Sequence, residues 1–180
     1  MNISTSALQE KNAKHLIQSF SDLSYIKNPE STHIISRADG VYIYDNDGKK
    51  ILDSMSGLWC VNMGYGQQSI IEAVNEQMKE LVYYNNFFGS SHPSAIKLSE
   101  MIANKTPEGM NKVYFCGSGS EANDTVVRLA RHYWAAKGKP SKSVIISRTN
   151  AYHGSTMAGA SLGGMSAMHA QGGLPIANIE

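Results

Sequence analysis

Gly117-Ser118-Gly119-Ser120-Glu121 stands between an apolar β-type run, residues 112–116, and a stretch with helical periodicity. Two glycines let the backbone approach a ligand closely, two hydroxyls add donors, and the first N–H groups of a helix favour an anion. A phosphate suits that set. The same residues also read as a plain cap, since Ser118 with Glu121 three positions on is the capping-box pattern. Further along, Asn150-Ala151-Tyr152-His153-Gly154 follows a second apolar run, residues 144–146. Ligands of open α/β sheets bind at the carboxyl ends of strands. An aromatic ring there stacks on a planar heterocycle whose phosphate the neighbouring loop holds. Together the two blocks point to a flat, singly phosphorylated cofactor.

A dinucleotide is the rival. Residues 117–122 also fit G-x-G-x-x-A, the Rossmann fingerprint. NAD then requires an acid at the end of the next strand, where Ser147-Arg148-Thr149 stands, and no acid follows until Glu180. Plain NAD is disfavoured, while NADP through Arg148 stays open, in a Rossmann-type oxidoreductase. No G-x-x-x-x-G-K-[ST] occurs, which excludes a P-loop. Asp45 and Asp47 before Gly48 resemble part of a calcium loop, but Ile43 and Ser54 stand where that loop needs acids.

These residues need elements to position them. The 180 residues are 42% hydrophobic and 17% charged, enough apolar content for a core and too little charge for disorder. A net charge of +1 excludes a general nucleic-acid binder. Residues 1–124 hold 10 basic and 14 acidic side chains, whereas residues 125–179 hold six basic and no acidic ones. That acid-free stretch suits either an anionic ligand or a solvated basic face. Leu8, Leu16, Ile17 and Phe20 predict an N-terminal helix that Asn28-Pro29 stops. Residues 33–53 predict an antiparallel meander with turns at Asp39-Gly40 and Asn46-Asp47-Gly48. Residues 67–84 and a segment from Pro93 predict helices. Residues 112–146 predict strand, helix and strand, the unit of a parallel sheet, with Ala122, Val126, Leu129, Ala130, Tyr133 and Trp134 on the buried helix face. Ending at 180, the sheet would lack covering βα units, so an incomplete α/β domain is expected. The polar start, the absence of any apolar run near 18 residues, and two cysteines without a C-x-x-C pair predict a reduced, cytoplasmic protein with no membrane span.

Residues 115–124 and 150–154, with Asp53-Ser54-Met55-Ser56-Gly57-Leu58-Trp59 and Asn86-Phe87-Phe88-Gly89, resemble the class III pyridoxal-phosphate aminotransferases. The ω-amino acid–pyruvate branch is the nearest match, and the order and spacing of the blocks agree from about Phe20 to Gly154. The resemblance implies fold type I, a homodimer and pyridoxal 5'-phosphate as cofactor. It implies amino-group transfer from a primary amine or ω-amino acid to a keto acid such as pyruvate. Gly119 and Ser120 are implied to hold the phosphate, Tyr152 to stack on the pyridine ring, and His153 to lie beside it. Phe20, Leu58 and Trp59 are implied to line the substrate pocket, with Phe87 and Phe88 reaching the neighbouring subunit's site. For each of these aromatics, simple core packing is the alternative.

The resemblance also implies a division into residues 1–65, part of the small domain, and residues 66–180, the N-terminal part of the large cofactor domain. Family members run to more than twice this length. The cofactor-bonding lysine and the aspartate facing the pyridinium nitrogen belong to the portion unmatched here, and no lysine of this chain sits in the corresponding context. A fragment of a transaminase is therefore expected, with an inactive orphan fragment as the other outcome. Gly117 stands where many members carry Asn, which predicts a looser phosphate loop.

Overall fold

Ser4 opens the first helix. Its hydroxyl accepts the Ala7 N–H at 3.3 Å, and Thr5–His15 follow in the computed structural model, which describes residues 3–180. The expected continuation through Leu16, Ile17 and Phe20 does not occur, because the backbone turns extended at Leu16. A short helix, Leu23–Ile26, and a 3-10 turn, Pro29–Ser31, come next, capped by the side chains of Asp22 and Asn28. Each cap satisfies local N–H groups and restarts the helix, so one long apolar spacing becomes three short elements.

The meander forms as expected. Strands β1 (Ile35–Asp39), β2 (Tyr42–Asp45) and β3 (Lys50–Leu52) pair antiparallel in that order. Gly40 and Gly48 turn between them at φ 56° and 86°. Arg37 lies opposite Tyr44 with its guanidinium 3.6 Å from the ring centre, and the Lys50 ammonium stands 3.8 Å from the Tyr42 ring. These cross-strand cation–π pairs help hold the register. Gly40 also exchanges two backbone hydrogen bonds with Tyr65, at 3.2 and 2.8 Å, tying the following segment to the first turn. Gly64 makes this approach possible, since a Cβ there would stand 2.8 Å from Gly40 O.

The chain divides into two compact units, Met1–Ser90 and Ser91–Glu180. Helix Gln68–Glu80 lies in the first of them, whereas a division at residue 65 places it with the second. Three helices matter in the second unit: Pro93–Ala103, Gly119–Ala136 and Met157–Leu162. Its core is Val127, Ala158, Leu162 and Ile179, with Ile145 and Ile176 against them. The small-residue helix is the most deeply buried element, and Ser161 is only 1% exposed. Its hydroxyl donates to Met157 O at 2.6 Å and accepts the Ile176 N–H at 2.9 Å.

Two expectations need correction. Residues 112–116 form no strand, and the pairing of residues 144–146 is a single parallel bridge, Ile145 with Ile179. A strand exists only where a neighbour completes its ladder, and among the described residues no segment does so for 112–116. The buried stripe of helix Gly119–Ala136 also differs from the apolar face expected. Ala122, Ala130 and Trp134 are half-buried in line with that face, but Val127 is the buried residue, and Val126, Leu129 and Tyr133 are exposed. Asn123, Asp124 and Arg131 are half-buried beside Val127, and their polar atoms pair with backbone groups of His153, Gly159 and Ala177.

Apolar faces are left open. Ile146 is 81% and Tyr114 69% exposed. These 180 residues expressed alone are therefore expected to self-associate. Sedimentation velocity checks this, and a single sharp monomer boundary would refute it. Among the described residues, no helix is long and apolar enough to cross a membrane, and no group of three or more His, Cys, Asp or Glu could hold a metal ion.

Candidate functional site

Ser118 caps helix Gly119–Ala136, accepting the Glu121 N–H at 3.2 Å. Glu121 in turn accepts the Gly117 N–H at 2.6 Å, one residue earlier than a capping box requires. Gly117 permits this reach, since a Cβ there would stand 3.0 Å from the Glu121 carboxylate. The loop is thus tied rather than loosened. With the third N–H captured by the cap, the N–H groups of Gly119 and Ser120 remain as the helix's opening donors. Nothing lies within 4 Å of a Cβ built on Gly119, so the approach to them is open.

The second block is sewn to this helix. The Ser120 hydroxyl accepts the Ser155 N–H at 3.1 Å, which leaves its own proton to donate. Asn123 Nδ2 donates to His153 O at 2.7 Å. Asp124 Oδ1 accepts from Thr156 Oγ1 at 2.7 Å and from the Gly159 N–H at 3.2 Å. Gly154, at φ 121°, sits against Ser120 so closely that a Cβ would meet the Ser120 backbone at 2.8 Å. Ser120 and residues 153–156 are therefore brought together, with Gly119 and Tyr152 their chain neighbours. Asn123, Asp124 and Thr156 were given no role by the sequence reading. The readable signal was polar residues at i, i+3 and i+4 on one helix side, Ser120, Asn123 and Asp124.

The acid-free basic stretch belongs elsewhere. Arg131 donates to the carbonyls of Ser143, Ala177 and Asn178 at 3.0, 2.7 and 3.2 Å, so it serves as a rivet. The Lys142 ammonium stands 4.0 Å from the Trp134 ring centre, and Lys137 and Lys139 lie near Tyr133 and Trp134. Those lysines gather at the C-terminal end of an 18-residue helix, about 27 Å of helix rise from its N-terminal donors. There they meet the negative end of the dipole. These four cations thus meet carbonyls and aromatic rings of the chain itself.

The apolar candidates belong to the first unit. Phe20 precedes helix Leu23–Ile26, Leu58 and Trp59 follow β3, and Phe87 and Phe88 follow helix Gln68–Glu80 with ring centres 6.1 Å apart. All five are exposed, Trp59 by 79%. Core packing within these 180 residues is not their role. Seven non-glycine residues among those described have positive φ, and Phe20, Leu58, Trp59 and Phe88 are four of them, between 54° and 67°. Left-handed backbone costs an ordinary residue roughly 1–2 kcal/mol, and such strain concentrates at functional sites. Next to this region, the Tyr65 hydroxyl donates to Asp53 Oδ2 at 2.7 Å. That bond, aided by the Gly57 and Met55 N–H groups, holds the Asp53 carboxyl below its usual range and outweighs its partial burial. The same carboxylate raises the Tyr65 phenol above its ordinary value.

The chain is similar to known proteins. Residues 25–179 match the family of class-III aminotransferases. The putrescine–pyruvate aminotransferase of Pseudomonas aeruginosa is 53% identical over 178 residues, 99% of this chain and 39% of that protein. A transaminase from the marine bacterium Virgibacillus superimposes with a TM-score of 0.91 at 39% identity, covering 96% of this chain and 39% of that one. A thermostable omega transaminase with a tryptophan-to-glycine substitution, engineered for asymmetric synthesis of enantiopure bulky amines, gives 0.91 at 37% identity, covering 96% and 38%. The chain thus spans about two fifths of the length of the relatives it matches. These likenesses retire the oxidoreductase reading and establish the fold as that of the fold type I pyridoxal-phosphate transaminases. The chain belongs to the class III aminotransferases, a pyridoxal-phosphate-dependent family.

Proposed function

We propose that these residues form the N-terminal part of a transaminase that moves an amino group from a primary amine, a diamine or an ω-amino acid to a keto acid such as pyruvate. The observation that carries this reading is the clasp between Ser120 and Ser155, which sets an open helix N-terminus beside Tyr152 and His153. The residues fit the cofactor. The N–H groups of Gly119 and Ser120 and the Ser120 hydroxyl suit a phosphate, and the half-exposed Tyr152 ring suits a pyridine face. His153, next in the chain to Tyr152, has its carbonyl fixed by Asn123. When bound, pyridoxal phosphate supplies the electron sink for amino-group transfer. This chain's part is to bind and orient that group and to shape the space beside it.

Phe20, Leu58 and Trp59 line the amine pocket, and Phe87 and Phe88 reach the site of a second subunit in a cytoplasmic homodimer. Residues 1–65 belong to the small domain and residues 66–180 to the large one. The identity to a putrescine–pyruvate enzyme supports a diamine donor with pyruvate as acceptor. In the enzyme that carries this chain, Ser120→Ala is expected to weaken cofactor retention by about 1–3 kcal/mol, since a hydrogen bond to a charged group is lost. Ser118→Ala loses only a helix cap and costs retention less, about 1 kcal/mol of stability. Cofactor affinity measured by equilibrium dialysis of both variants is the check. The reverse order would show that Ser118, not Ser120, contacts the phosphate.

A further inference from the structure

Ser56, Gly57, Leu58 and Trp59 have φ values of 48°, 59°, 64° and 67° in succession. The chain therefore makes one left-handed helical turn just before Cys60. L-residues avoid such a turn unless the surroundings over-determine it. Internal backbone bonds close it in part: the Trp59 N–H donates to Met55 O at 2.8 Å, and the Cys60 and Val61 N–H groups both donate to Ser56 O at 2.9 Å.

Asp53 and Tyr65 supply the rest. Asp53 Oδ2 accepts both the Gly57 N–H and the Tyr65 hydroxyl at 2.7 Å, and Oδ1 accepts the Met55 N–H at 3.2 Å. Three donors on one carboxylate make charge-assisted bonds, stronger than neutral ones. Both partners are anchored to the meander. The Asp53 N–H donates to Val41 O at 3.0 Å, and Tyr65 makes its two bonds with Gly40. The turn seats tightly on this pair, since a Cβ on Gly57 would stand 2.9 Å from Val61 Cγ2 and 3.0 Å from the Tyr65 oxygen.

We propose that Asp53 and Tyr65 are positioning residues for substrate selection: bridged from the meander, they hold residues 56–59 left-handed and so aim Leu58 and Trp59. Were the turn to relax to right-handed backbone, the Cα–Cβ bonds of both side chains would point elsewhere. The wall they form would then lose its set position, and large amines would be excluded less strictly. This rests on the reading of Leu58 and Trp59 as pocket residues.

The test uses the holoenzyme with Asp53→Ala, Asp53→Asn and Tyr65→Phe, and Trp59→Gly as a control. Hydrogen exchange resolved by mass spectrometry follows peptides over residues 53–61, with residues 35–52 as the internal reference. Exchange at 53–61 is expected to rise about tenfold in Asp53→Ala, where a charged acceptor is lost. The rise should be smaller in Asp53→Asn and in Tyr65→Phe, with the reference unchanged. The ratio of kcat/KM for an aromatic amine over a small aliphatic one should rise in the same order. Should Asp53→Ala fail to fold, the two conservative variants decide. Unchanged exchange at 53–61 in both of them overturns the clamp. Raised exchange with an unchanged ratio, while Trp59→Gly does change it, overturns the positioning role. An unchanged ratio in Trp59→Gly itself defeats the pocket reading and with it the selection role, while the exchange data still decide the clamp.

Discussion

Gly154→Ala is expected to damage the second unit severely, costing about 3 kcal/mol or more through overpacking and backbone strain together. The position has φ 121°, which an L-residue rarely adopts, and the new methyl would stand 2.8 Å from both Cα and Cβ of Ser120. Neither contact involves a flexible side-chain end, so one of the two backbones must move. That displacement breaks the Ser155–Ser120 bond and loosens the Asp124 bonds to Thr156 and Gly159. Cofactor retention should fall together with melting temperature. Gly119→Ala is the contrast. It has open space and no positive φ, so its melting temperature should hold, while its methyl obstructs approach to the helix donors and weakens retention. Calorimetry and dialysis of the two variants measure both quantities. An unchanged melting temperature for Gly154→Ala would show that the close approach to Ser120 is not maintained in solution.

Trp59→Gly is expected to widen the range of amines accepted without loss of stability. Trp59 is exposed and left-handed, so removing the indole opens no core cavity, and glycine relieves roughly 1–2 kcal/mol of backbone cost. A buried tryptophan would instead cost about 3–5 kcal/mol on truncation to alanine. Cofactor affinity, for which Gly119, Ser120 and Tyr152 are the proposed contacts, should barely change. A relative altered from tryptophan to glycine and engineered for bulky amines agrees with this direction. The measurement pairs melting temperature with kcat/KM across amines of increasing size. A large fall in melting temperature with unchanged relative rates would make Trp59 a structural residue.

How much of this was legible in the residues follows from the range of each interaction. The meander was readable because its turns need glycine at positive φ and its strands pair with sequence neighbours, so Gly40 and Gly48 carry the information locally. The Ser118 cap and the opening of helix Gly119–Ala136 were readable for the same reason, being contacts three residues apart. The proposed phosphate-binding role of the loop at residues 117–121 rests on residue types at set spacing.

Tertiary structure decided what depends on distant partners. Residues 112–116 have the composition of a strand, yet a ladder needs a neighbour, and composition does not supply one. On helix Gly119–Ala136 apolar spacing marks Ala122, Ala130 and Trp134 correctly but also Val126, Leu129 and Tyr133, which are exposed. Hydrogen bonds to residues 153–159, 143 and 177–178 draw Asn123, Asp124 and Arg131 to the half-buried side. Six cations without acids suggested an anion site, but Arg131 and the lysines meet carbonyls and rings that no local spacing reveals. The left-handed turn at residues 56–59 is the clearest case. Only Gly57 among its residues favours that backbone on its own, and the force that imposes it on Leu58 and Trp59 comes from Asp53 and Tyr65, each anchored to a strand pair formed earlier in the chain.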